Sequence, residues 1–177
     1  PQLGTSFNPC IWDYNRYNEF DLSGNSYLST FSNHNTYLSI GTIIKAGAVY
    51  SFTPNDRWTF SGGIYVAQYT MPSLRIPTAP MAGSRFDAGI NGNITYRLTD
   101  HLYLNVFGQY SLNGQRNSKM GYMVPDLYMQ SHFGGTLDYM FNDKFGITGG
   151  AVHEFNPIKG HWETTPVFGP VIHLKKK

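Results

Sequence analysis

Six histidines, at positions 34, 101, 132, 153, 161 and 173, are the side chains of this 177-residue chain best suited to bind a metal or move a proton. None forms a pair at metal-ligand spacing with a third ligand nearby. His153-Glu154, beside a long polar connection, is the pair that invites an acid–base role. His101 belongs to a turn repeat in which Arg57 and Lys144 hold the equivalent place, so it reads as a basic residue at a strand end. The single cysteine, Cys10, forbids an internal disulfide and any multi-cysteine metal site. Five charges, Lys45, Asp87, Arg97, Asp138 and Glu154, fall on the polar phase of alternating segments. Charges held inside a protein must be paired, so these five predict a salt-bridged interior network, whose functional version is a narrow ion path. We expect no catalytic set, no cofactor and no metal site.

The elements that must position these residues are almost wholly of period two. From 86 to 98, Phe86, Ala88, Ile90, Ile94, Tyr96 and Leu98 share one face, and Asp87, Asn91, Asn93, Thr95 and Arg97 share the other. Residues 101–112 and 37–52 repeat the pattern; 58–70, 127–141, 144–155 and 165–174 follow it, and 20–31 follows it more weakly. This predicts eight strands. No window carries an amphipathic helix, because glycine, β-branched and aromatic residues interrupt every 3.6-residue pattern.

The connections carry more information than the strands. Tyr50-Ser-Phe52-Thr-Pro-Asn-Asp-Arg57-Trp58-Thr-Phe60, Tyr96-Arg-Leu98-Thr-Asp-His101-Leu102-Tyr-Leu104 and Tyr139-Met-Phe141-Asn-Asp-Lys144-Phe145-Gly-Ile147 are three versions of one pattern. Asp56, Asp100 and Asp143 recur at spacings of 44 and 43 residues, so the repeating unit is a pair of strands joined by a tight turn. Between these turns lie 71–85, 113–126 and 156–163, rich in Pro, Gly, Ser, Asn and Met. Short and long connections therefore alternate, and an up-and-down meander collects them at opposite ends.

Composition then decides which solvent the apolar face meets. Charged residues make up 14% of the chain, against roughly 25% in soluble domains. A net charge of +2, with Lys175, Lys176 and Lys177 as the one basic cluster, argues against a nucleic-acid partner. No apolar run approaches the ~18 residues of a spanning helix. Twelve Phe, thirteen Tyr and three Trp exclude a disordered chain. A soluble barrel needs about 25 to 35% charge on its surface, whereas the polar strand phases here hold Asn, Gln, Ser, Thr and Gly, the filling of a narrow interior. Phe52, Trp58, Phe60, Tyr96, Tyr139, Phe141 and Phe145 lie near the short turns, and Tyr65, Tyr69, Tyr110, Tyr128 and Phe155 near the long connections. Two aromatic belts around an aliphatic band about 25 Å tall are what a bilayer asks of a spanning barrel. The competing reading, a soluble lipocalin-like carrier, keeps the apolar face inward.

On these strands, turns and belts the chain resembles small eight-stranded bacterial outer-membrane β-barrel proteins, over roughly residues 20–174. Gly169-Pro170-Val171-Ile172-His173-Leu174 is similar to the outer-membrane assembly signal, although it lacks a terminal aromatic. The proline-containing ending and the Tyr and Asn richness resemble barrels of Bacteroidota-type bacteria. The resemblance implies an all-β, antiparallel up-and-down transmembrane barrel of eight strands, with short periplasmic turns and longer extracellular loops. It also implies a Gram-negative outer-membrane location and contact with outer-membrane lipid, lipopolysaccharide and other outer-membrane proteins. Two lipid A modifying enzymes share this architecture; the deacylase uses a His and a Ser separated by one residue, a motif that the adjacent Ser131-His132 does not match.

The expected organisation is a lead-in over 1–19, a barrel over 20–174 and a basic tail over 175–177. Strand parity places the aromatic lead-in, with Trp12, Tyr14, Tyr17 and Phe20, at the short-turn end. The long connections carry Met71, Leu74, Ile76, Met81, Met120, Met123 and Val124, an apolar content suited to an adaptable contact surface. The function expected is therefore a non-enzymatic scaffold or accessory subunit of a larger outer-membrane complex, or a protein acting through its loops. The alternatives are a narrow porin-like channel, which a water-filled pore of about sixteen strands argues against, and a lipid A modifying enzyme.

Overall fold

A computed structural model describes residues 16–37, 41–71, 83–120, 130–157 and 159–172. The described chain is all-β. Nine strands lie side by side in chain order, each antiparallel to the next: β1 (Arg16–Ser23), β2 (Ser26–Tyr37), β3 (Gly41–Asn55), β4 (Trp58–Met71), β5 (Gly83–Arg97), β6 (Leu102–Ser111), β7 (His132–Met140), β8 (Phe145–Asn156) and β9 (His161–Ile172). One seven-residue helix, α1 (Gly114–Met120), sits in the connection after β6. No helix among the described residues is long and apolar enough to cross a membrane.

Three expectations need correction. Among the described residues the strand count is nine, not eight, because the weak pattern over 20–31 resolves into a hairpin: β1 and β2 reverse at Gly24 and Asn25, where Ser23 and Ser26 also bond through their hydroxyls at 2.8 Å. β1 takes residues 16–19 out of the expected lead-in and reverses the parity. The strand now begins at the long-connection end, where eight strands would have put the preceding segment at the short-turn end. The connection 157–160 has four residues rather than the expected long segment, since β9 begins at His161. Finally, α1, a short polar helix rather than an amphipathic one, lies inside the segment 113–126 read as an irregular connection.

The sheet is not closed: β1 and β9 are its edges, and as first and ninth members of an alternating series they run in the same direction. The strand ends joined by 24–25, 56–57, 98–101 and 141–144 lie at one end of the sheet, and those joined by 38–40, 72–82, 112–131 and 157–160 at the other. The tight turns share one local device. Asn55 Oδ1 accepts the N–H groups of Arg57 and Trp58 at 2.9 and 3.1 Å. Thr99 Oγ1 accepts those of His101 and Leu102 at 3.3 and 3.1 Å. Asn142 Oδ1 accepts those of Lys144 and Phe145 at 2.9 and 3.0 Å. A side-chain oxygen thus stands in for a backbone acceptor and reverses the chain.

The two faces are sorted opposite to a water-soluble sheet. Among the described residues, Ile64, Val66, Phe86, Ile90, Val106, Phe133, Leu137 and Ile147 are exposed on one face. Ser29, Asn33, Ser51, Thr95, Asn105, Gln109 and Thr136 are buried on the other.

Candidate functional site

The inner face is built from rows of residues that oppose one another across successive strands. One row reads Phe31, Gly47, Tyr65, Gly89, Ser111. Large and absent side chains alternate, so each ring lies over a neighbouring glycine. A Cβ on Gly47 would come within 2.5 Å of the Phe31 ring, and one on Gly89 within 2.5 Å of the Tyr65 ring. Phe31, Val49 and Tyr65, from β2, β3 and β4, form one buried apolar cluster on the inner face.

Toward the short turns the interior is a hydrogen-bonded polar belt. Ser51 and Ser61 bond at 2.9 Å and Thr53 and Thr59 at 3.3 Å. Thr95 Oγ1 donates to Asn105 Oδ1 at 2.8 Å, and Asn105 Nδ2 donates to Asp138 Oδ2 at 2.7 Å and to Thr136 Oγ1 at 3.3 Å. Thr148 Oγ1 closes the belt by donating to Asp138 Oδ1. Asn105, almost fully buried, is its junction. A buried amide is tolerated because its donors and acceptor are used.

Toward the long connections lies a second polar cluster, centred on the fully buried carboxylate of Asp87. It accepts hydrogen bonds from Tyr65 Oη at 3.1 Å, Ser111 Oγ at 2.7 Å and the Asn113 N–H at 2.8 Å. Ser111 Oγ accepts in turn from the Gly114 N–H at 2.8 Å, at the start of α1.

Of the five charges expected in the interior, Lys45 and Asp87 share a row, two strands apart with Ala67 between them. Asp87 and Asp138 are bonded by neutral donors. The Arg97 guanidinium meets the exposed turn residue Asp100 at 3.3 Å, and Glu154 opposes His132 in register. His153 and Glu154 do not converge, since consecutive strand residues face opposite sides. His153 Nδ1 is 2.9 Å from Thr164 Oγ1, and its ring stacks on Trp162 at 5.3 Å. The Ser131 hydroxyl accepts the Ser111 N–H at 3.0 Å. Among the described residues no group of three or more His, Cys, Asp or Glu could hold a metal ion.

The expected aromatic belts divide. Phe52, Trp58, Phe60, Tyr110, Tyr139, Phe141 and Phe145 are exposed, and Tyr96 lies half-exposed against Trp58 at 4.3 Å. Tyr65, Tyr69 and Phe155 are instead buried. For the tyrosines the reason is parity: Trp58, Phe60, Ile64 and Val66 take the outer phase of β4, which leaves 65 and 69 inside. Tyr128 and the contact candidates Leu74, Ile76, Met81, Met123 and Val124 lie outside the described residues, while Met71 ends β4 and Met120 ends α1. The Asp87 cluster was missed apart from Asp87 itself. Its signal was available in Ser111-Leu112-Asn113-Gly114, where the alternation stops on small polar residues.

Neither protein-family models, nor curated proteins, nor solved structures provide a match to this chain.

Proposed function

We propose that this chain is a membrane-spanning β-protein of a bacterial outer membrane, without enzymatic activity, that works as a scaffold or accessory subunit of a larger complex or through its long connections. The observation that carries the reading is the inverted sorting of the two faces. Among the described residues, twelve polar and nine apolar ones are buried, while twenty-five large apolar side chains are exposed. Soluble monomers seldom leave a contiguous apolar patch beyond about 300–600 Å² open to water, and hydrocarbon is the solvent that suits such a face. Strands of nine to fifteen residues from β2 to β9 meet the roughly 9–11 residues a tilted spanning strand needs. Exposed Trp58, Phe60, Tyr139, Phe141 and Phe145 gather at the short-turn end, as headgroup anchors would.

The open edges favour the subunit reading. In hydrocarbon an unpaired backbone donor or acceptor costs several kcal/mol, so β1 and β9 need strands or segments beside them. β9 is poorly made for simple ladder extension. The Phe155 N–H bonds to Ser131 O, so odd residues of β8 serve β7 and even ones serve β9. Their partners in β9 are odd, which leaves the even positions facing the free edge. Two of these are Pro166 and Pro170, which have no N–H to offer. The non-enzymatic reading is supported by the divergence of His153 from Glu154 and by the engagement of Ser131.

Membrane fractionation with an alkaline carbonate wash tests the location, and mild detergent extraction followed by mass spectrometry tests the partner. Carbonate-resistant sedimentation together with a co-extracted outer-membrane protein is the expected result. A monodisperse, detergent-free folded protein would overturn the membrane reading, and a lone monomer after mild extraction would overturn the subunit role.

A further inference from the structure

We propose that residues 112–120 form a latch over the long-connection end of the interior, and that Asp87 is the joint tying this latch to the apolar cluster beneath it. β5 outruns β6 here: their pairing ends at Gly89 and Ser111, while β5 continues from Gly83 to Ala88 beside β4. Even residues of β5 direct their backbone groups toward β6, as the Leu112 N–H to Ala88 O bond of 2.9 Å records. Past that bond the strand partner is replaced by side chains. Asn113 Nδ2 and Asn117 Nδ2 both donate to Phe86 O, at 3.2 and 3.3 Å. Arg85 Nη1 donates back to Asn117 O at 2.9 Å, and Gln130 Nε2 holds Gly114 O at 3.2 Å. α1 thus stands where a longer β6 would have run, held by bonds that can be released without breaking the ladder.

The buried carboxylate joins two parts. One oxygen of Asp87 takes the Asn113 N–H of the latch; the other takes Ser111 Oγ and the hydroxyl of Tyr65, whose ring fills the notch at Gly89. The two oxygens of one side chain therefore fix the latch and the apolar cluster together, and loosening that side chain frees both. These bonds lie outside the strand ladder, and segments off the ladder open below the global unfolding free energy, so this end opens while the remaining sheet stays paired.

The test reads cleavage by trypsin after Arg116, in detergent-solubilised full-length protein, for the wild type, Asp87→Asn, Ser111→Ala and a control, Asn142→Ala, at the opposite end. Both latch variants are expected to raise the cleavage rate about tenfold or more, with the far-UV strand signal intact and the control unchanged. In a second arm Asn91→Cys, one row beneath Tyr65, is labelled by a small maleimide in a Cys10→Ser background, with and without Ser111→Ala. Labelling about tenfold faster in the Ser111→Ala protein is expected. Wild-type cleavage and labelling rates in folded Ser111→Ala would overturn the proposal, as would equal acceleration by Asn142→Ala. Both readouts use protein in detergent, so they stand or fall separately from the membrane reading.

Discussion

β4 and β9 belong to one sheet and have similar lengths, fourteen and twelve residues, yet their surroundings differ on every side. β4 is paired along both edges, and its odd residues Tyr65, Ala67 and Tyr69 are nearly or fully buried. β9 is paired along one edge, and none of its residues is buried; Phe168 is 82% exposed. Period-two alternation alone would treat the two strands alike. The difference teaches that burial on the inner face comes from neighbours curling over a strand, and that a strand with one neighbour cannot acquire it.

The largest expected effect comes from glycine. Valine at Gly89 would bring a Cβ within 2.2 Å of Tyr110 O and into the Tyr65 ring, whereas Gly169 on β9 has nothing within 4 Å. Gly89→Val should cost about 3 kcal/mol and Gly169→Val about 0.5 kcal/mol or less, read from urea unfolding in detergent micelles. Equal costs would break the contrast between the strands. Next comes Asn105→Ala, which strips Thr95, Thr136 and Asp138 of a shared partner and should cost roughly 1–3 kcal/mol; Thr165→Ala, on the thinly covered β9, should stay within about 0.5 kcal/mol. A tight turn is worth less: Asn142→Ala loses the acceptor for the Lys144 and Phe145 N–H groups and should cost about 1 kcal/mol in the same assay.

The smallest stability change, and the sharpest test of the edge, is expected from replacing Pro166 and Pro170 together by Thr. Monomer stability should move by about 0.5 kcal/mol or less. Restoring two N–H groups to the free edge should nevertheless increase self-association, measured by sedimentation in detergent. Unchanged association would mean that the prolines do not guard that edge.

The tight turns were legible because their chemistry is local. The 44- and 43-residue spacing of Asp56, Asp100 and Asp143 located them, although the bonding acceptors prove to be the preceding Asn55, Thr99 and Asn142 at the same spacing. The phase of β4 was equally open to reading, and applying it would have moved Tyr65 and Tyr69 inside. The β1–β2 hairpin was obscured because a two-residue reversal at Gly24-Asn25 leaves little interruption in the pattern. The interior could be read as polar, but not as a set of bonds. Asp87 and Asn113 are 26 residues apart, and Asn105 and Asp138 are 33 apart. Neither pair lies within any window in which periodicity operates.

What the sequence determined by itself was the two-faced strand, the tight turns and the scarcity of charge, since each depends on residues within a few positions of one another. The tertiary structure decided the ninth strand's solitary edge, the ring-over-glycine rows and the replacement of a strand by a helix beside β5. These depend on which strands lie together and in what register, and register sets the contacts of every side chain on a face at once.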